Sequence, residues 1–158
     1  VEARLATELG FKKFHWLENG WLAGDDTDAH IDTLARLCPD KTILYVKCDD
    51  PADEHFPALH NMEDELQKLL EYSLIPLPWP KARFDEDGNR LPATYANFLI
   101  INGAVLVPVY NDPADSAALA AIKKAFLDRE IIGIDCSALI LQHGSLHCVT
   151  KQIPKGVL

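Results

Sequence analysis

A chain of 158 residues, 48% hydrophobic and 25% charged, fits one domain with a core of its own, which excludes disorder on bulk composition. A formal net charge of −9 excludes a general nucleic-acid or anionic-membrane surface, since those partners demand clustered Lys and Arg, and is compatible with a cationic ligand. Cys38, Cys48, Cys136 and Cys148 form no C-x-x-C pair, which excludes a zinc knuckle or thioredoxin-type motif. With no signal peptide and no long apolar run, the chain is expected to be soluble and cytoplasmic, its thiols reduced.

The opening VEARLATELGF lacks an initiator Met and starts inside a helical pattern, so a piece of something longer is expected. Residues 3–9 read as the end of an amphipathic helix stopped by Gly10. Residues 13–17 are a short strand candidate, 18–28 a loop rich in Gly and Asp, and 30–37 a strand closed by a turn at Cys38, Pro39 and Asp40. TILYVKC, residues 42–48, is a strong strand by its β-branched and aromatic content.

Asp50-Pro51-Ala52-Asp53 then recurs as Asp112-Pro113-Ala114-Asp115. In both copies Asp suits a helix N-cap, Pro the first helical position and the second Asp the positive helix end. The helix after the first copy carries Phe56, Leu59, Met62, Leu66, Leu69 and Leu70 on one face, and the second carries Leu119, Ile122 and Phe126. Strand candidates follow at 74–77 and 131–135. Counting back aligns TILYVKC with AVLVPVY, and HIDTLARL with YANFLII, whose Asn102-Gly103 is a hairpin signal. The chain thus repeats a strand, strand, helix, strand unit of about sixty residues. The copies fall at approximately 29–80 and 94–136, and a further one starts within 137–158, with LHCVTKQI as its first strand. Four prolines and the turn Asp85 to Asn89 mark 76–92 as a surface connection.

Two stretches carry the chemistry: GDDTDAHID, residues 24–32, and SLHCVTKQIP, residues 145–154. On a strand, His30 and Asp32 would share a face, and units arranged about an axis would bring them to Cys148. Thiol, imidazole and carboxylate in one cleft make a cysteine-nucleophile site. Taken singly, Cys148 is a buried inert thiol by default, as Cys38, Cys48 and Cys136 are read, and His30 a structural histidine bonded to Asp28 or Asp32. Asp25, Asp26, Asp28 and Asp32 could instead hold a hard cation, though without EF-hand spacing. His55, His60 and His143 lack ligand spacing and read as surface or packing residues; Trp16, Trp21 and Trp79 read as core or loop anchors.

With these motifs in this order, including the Tyr95-Ala96-Asn97-Phe98 run, the chain resembles the C-terminal half of agmatine deiminase and the related bacterial peptidylarginine deiminases of the guanidine-modifying superfamily. The resemblance implies a five-bladed α/β propeller, or pentein, of ββαβ units, about half of it here. It implies Cys148 as nucleophile, His30 as general acid and base, Asp32 as a carboxylate gripping the guanidinium, and Gly144 in a turn beside the substrate. The implied reaction converts agmatine to N-carbamoylputrescine and ammonia, a step of polyamine biosynthesis toward putrescine, through a covalent cysteine intermediate. It needs no metal or organic cofactor. Arginine residues in peptides are the alternative substrate.

Two departures from the family pattern stand out. The family has several glycines before its Cys motif, where this chain has Gln142-His143-Gly144-Ser145. It also takes a second carboxylate and a Glu partner for the histidine from an N-terminal half that no segment here matches. The implied partners are therefore a small guanidino substrate, that missing half and a homo-oligomer, with no nucleic acid and no membrane, and the chain alone is expected to be catalytically incomplete.

Overall fold

The two aliphatic runs TILYV and AVLVPV are the central strands of two three-stranded sheets in the computed structural model, which describes residues 1–26, 30–153 and 156–157. Helix α1 (Glu2–Leu9) ends at Gly10, whose φ of 73° and N–H bond to the Ala6 carbonyl form a left-handed cap. In the first unit β1 (Ala35–Cys38) pairs antiparallel with β2 (Thr42–Val46), and β2 pairs in parallel with β3 (Ser73–Leu77) through the crossover helix α2 (Phe56–Leu66). The second unit repeats this topology with β4 (Leu99–Ile101), β5 (Ala104–Val109), α3 (Asp115–Ala125) and β6 (Glu130–Asp135). Every residue of β2 is buried, as expected for a strand covered on both faces.

The units meet through α3, which packs on its own β6 and on β2 and β3 of the first sheet. Ala118 and Ile122 are fully buried there, and one apolar cluster runs through both units. Pro108 is tolerated in β5 because β4 pairs only as far as Leu106, so no strand asks for its missing N–H on that side.

Several sequence expectations are corrected by local hydrogen bonding. No strand forms at 13–17. Residues 30–37 are not one strand: the Thr33 N–H and hydroxyl both donate to the His30 carbonyl, closing a 3-10 turn at Ile31–Thr33, and β1 begins only at Ala35. Two residues apart on such a turn lie about 120° apart, so the shared-face argument for His30 and Asp32 fails. LHCVTKQI is not the first strand of a third unit either. His147–Val149 is a 3-10 turn, because the backbone N–H groups of His147 and Cys148 donate to the side-chain carbonyl of Asn97 instead of entering a ladder. Only Leu99–Ile101 of YANFLII is a strand.

The Asp-Pro-Ala-Asp copies precede their helices as Asx turns: Asp50 and Asp112 accept from the N–H groups of Ala52 and Ala114. Helix α2 starts later, at Phe56, and ends at Leu66, so Leu70 falls outside it, 90% exposed. Among the described residues no helix is long and apolar enough to cross a membrane.

Candidate active site

Three short segments converge on Cys148. Its 3-10 turn presents the thiol to solvent, whereas Cys38 is half-buried and Cys48 and Cys136 are buried. Asp32 arrives from the Ile31–Thr33 turn with its Oδ2 4.0 Å from the sulfur, and shares that oxygen with Nδ1 of His147 at 2.7 Å. Asn97, fully buried just before β4, joins the two. Its Nδ2 lies 3.0 Å from Asp32 Oδ2 and 3.3 Å from Cys148 Sγ, while its Oδ1 accepts the N–H groups of His147 at 2.8 Å and Cys148 at 3.3 Å.

Gly144 borders the same sulfur: a Cβ added there would lie 3.1 Å from Cys148 Cβ and 3.6 Å from Sγ. The structure thus places Asp32 and Gly144 beside Cys148. His30 stands two residues before Asp32, exposed, and its carbonyl caps the turn. Among the described residues no bond joins its ring to Cys148 or Asp32.

The surroundings set the charge. Arg36 on β1 donates to the carbonyls of Ala96 at 3.2 Å and Phe98 at 2.6 Å and lies over the Phe98 ring at 4.6 Å. Burial lowers its pKa, opposed by the attraction of Asp32, Cys38 and Cys148. A guanidinium thus lies within the electrostatic reach of the thiol and holds the segment that carries Asn97. Burial pushes the Cys38 thiol up to about 11, the opposite of activation. Behind the site, the Thr94 hydroxyl donates to the Thr33 carbonyl, and Tyr110 donates to the Thr94 carbonyl and bonds Ser145 at 2.9 Å, so buried hydroxyls couple the three segments.

A second buried network fixes the strap leading to Asp32. His55, 1% exposed, sits between Trp21, stacked at 4.8 Å, and Trp79 at 5.0 Å, and its Nε2 accepts the Ala23 N–H at 2.8 Å. Its Nδ1 therefore carries the proton toward Asp53, 2.7 Å away. Burial raises the Asp53 pKa, but hydrogen bonds from Arg90, His55 and Trp79 outweigh it and hold the carboxylate far below its usual range. Gly24 follows with φ +79° and the Arg90 carbonyl 2.3 Å from where a Cβ would be, and its own carbonyl meets His143 Nδ1 at 2.9 Å. His55 is a packing residue, and Trp21 and Trp79 anchor this strap.

Asn97, His147 and Arg36 are site residues that the sequence reading did not single out. His147 adjoins Cys148, and Asn97 lies in the Tyr95-Ala96-Asn97-Phe98 run, but the sequence predicts that run as a strand, in which a side chain so placed has no visible task. Of the expected acid cluster, Asp28 lies outside the described residues; among those described, no group of three or more His, Cys, Asp or Glu side chains could hold a metal ion.

Comparison with known proteins identifies the fold and the family. A Porphyromonas gingivalis protein, provisionally named an arginine deiminase, superposes with a TM-score of 0.93 at 54% identity over 98% of this chain and 47% of its own. A Campylobacter jejuni agmatine deiminase, a cysteine-to-serine variant with substrate bound, gives 0.88 at 45% identity over 92% of this chain and 43% of that one. A Vibrio parahaemolyticus protein, provisionally named agmatine deiminase, is 31% identical over 98% of this chain and 48% of its length. The chain therefore has the α/β pentein fold and spans about half the length of the relatives it matches. The family model of the Porphyromonas-type peptidyl-arginine deiminases matches residues 1–154, and the chain belongs to that family.

Proposed function

We propose that this chain carries the nucleophile-bearing half of a guanidino deiminase whose first substrate is agmatine. The observation that carries the reading is an exposed thiol 4.0 Å from a carboxylate, both tied to one buried amide, in a chain of this family. A guanidinium is a weak electrophile because its charge is delocalised; Asp32 would grip its N–H groups, competing with His147, and orient its carbon toward Sγ. The Cys148 thiolate adds to that carbon, and the C–N bond breaks as His30 gives a proton to the departing ammonia. The resulting S-alkyl thiouronium takes a water deprotonated by His30, the C–S bond breaks, and a ureido product leaves with the thiolate restored. The ureido oxygen sheds its proton as the product forms, so the net change is one water consumed and one ammonium ion released from the cationic guanidinium.

A second reading, arginine residues in peptides, is favoured by the description of the family itself. The second guanidinium carboxylate that the family resemblance implies would come from outside this chain, which spans about half the length of its relatives. The test measures ammonia released from agmatine and from an arginyl peptide, by this chain alone and together with the remaining half, with Cys148→Ala as control. Release from agmatine only on reconstitution, abolished by the substitution, is expected. Release that survives Cys148→Ala would sink the reading, and a preference for the peptide would move the substrate assignment.

A further inference from the structure

We infer that Asn97 is a positioning residue that sets the protonation of the Cys148 thiol and the aim of Asp32 together. The inference deepens the reading above but does not need a substrate for its test. An attacking thiolate and a guanidinium-gripping carboxylate must both be anionic, yet Sγ and Asp32 Oδ2 lie only 4.0 Å apart, where like charges oppose each other's ionisation. A cation between them would relieve the repulsion but would occupy the place of a cationic substrate. Asn97 offers a neutral alternative: its amide nitrogen has two N–H groups, with Asp32 Oδ2 at 3.0 Å and Cys148 Sγ at 3.3 Å to receive them. A hydrogen bond donated to an anion favours the ionised form.

The same side chain fixes where the sulfur stands, since its Oδ1 accepts the His147 and Cys148 amides. This fixes the amide with its nitrogen toward Asp32 and the thiolate, while the protonated thiol would donate to Oδ1 at 3.5 Å. Full burial of Asn97, with Arg36 bonded to the carbonyls on either side of it, removes the freedom to turn away. Among the described residues, the charged and titratable groups placed near the thiol are Asp32 on its turn, His147 beside Cys148 and Arg36 on β1.

The test reads the pH dependence of Cys148 alkylation by iodoacetamide in this chain, located by peptide mass spectrometry. In Asn97→Ala the midpoint should move up, slowing alkylation at pH 7 by roughly tenfold. Asn97→Asp, of the same shape but with an acceptor in place of the donor, should move it further. An unchanged midpoint in either variant that retains the native circular dichroism overturns the inference, because a merely structural asparagine would lower stability and leave the thiol alone. Should both variants fail to fold, NMR of the wild-type chain decides. The Asn97 side-chain amide signals should titrate with the Cys148 midpoint and cease to do so in Cys148→Ser; signals that stay flat through the thiol titration overturn it. Neither readout uses a guanidino compound, so the inference can stand if the deiminase reading fails.

Discussion

Replacing His55 by Ala separates the buried His55 network from ordinary packing. The imidazole is 1% exposed and lies between two indoles, so its removal leaves a cavity costing about 2–3 kcal/mol. The Ala23 N–H loses its acceptor, and at a half-buried site that adds about 1–2 kcal/mol. The sum, about 3–5 kcal/mol, is a large share of a typical domain's stability of about 5–15 kcal/mol.

The loss also depends on pH. Burial holds the His55 pKa below the ordinary histidine value, outweighing the Asp53 hydrogen bond that raises it, and Arg90 adds to the lowering. Below about pH 6.5 the unfolded imidazole binds a proton that the folded one resists, so wild-type stability falls with falling pH while the variant lacks this contribution. Urea unfolding followed by tryptophan fluorescence at pH 7.5, 6.5 and 5.5 should show the gap between wild type and His55→Ala narrowing toward acid. A loss below 1 kcal/mol at pH 7.5, or a gap that widens toward acid, refutes the neutral, hydrogen-bonded imidazole.

Other expectations concern the thiols and the glycines. At pH 8 iodoacetamide should label Cys148 first, because it is exposed, whereas Cys38 at about 11 is about a thousandth thiolate and Cys48 and Cys136 are buried; mass mapping that finds Cys38 labelled first contradicts this. Gly144→Ala should slow Cys148 alkylation roughly tenfold with little change in the urea midpoint, since the new Cβ would press on the Cys148 side chain at 3.1 Å. Gly24→Ala should do the reverse, lowering stability by roughly 2–4 kcal/mol, because its φ of +79° disfavours a side chain and the obstructing atom is the backbone carbonyl of Arg90. Equal stability losses for the two glycine variants would contradict the distinction.

Much of the fold was legible in the sequence because strands and helices announce themselves locally. TILYV and AVLVPV are β-rich runs, Leu59, Met62 and Leu66 recur at helical spacing, and the repeated Asp-Pro-Ala-Asp marks the approach to each crossover helix. Cys148, Asp32 and Gly144 were also named in advance, from short motifs whose order matches a known family. The conformation that brings these residues together was not legible. In isolation both HIDTLARL and LHCVTKQI have the pattern of strands, and what makes Ile31–Thr33 and His147–Val149 3-10 turns is a set of particular hydrogen bonds: from Thr33 to the His30 carbonyl, and from the His147 and Cys148 amides to the Asn97 side-chain carbonyl. The partners in the second set lie about fifty residues apart in sequence, and no local pattern encodes such a pairing. For the same reason Asn97 reads as one polar residue in a run and His55 as a surface or packing histidine. Their roles arise from burial and from partners on other segments, which tertiary packing alone supplies.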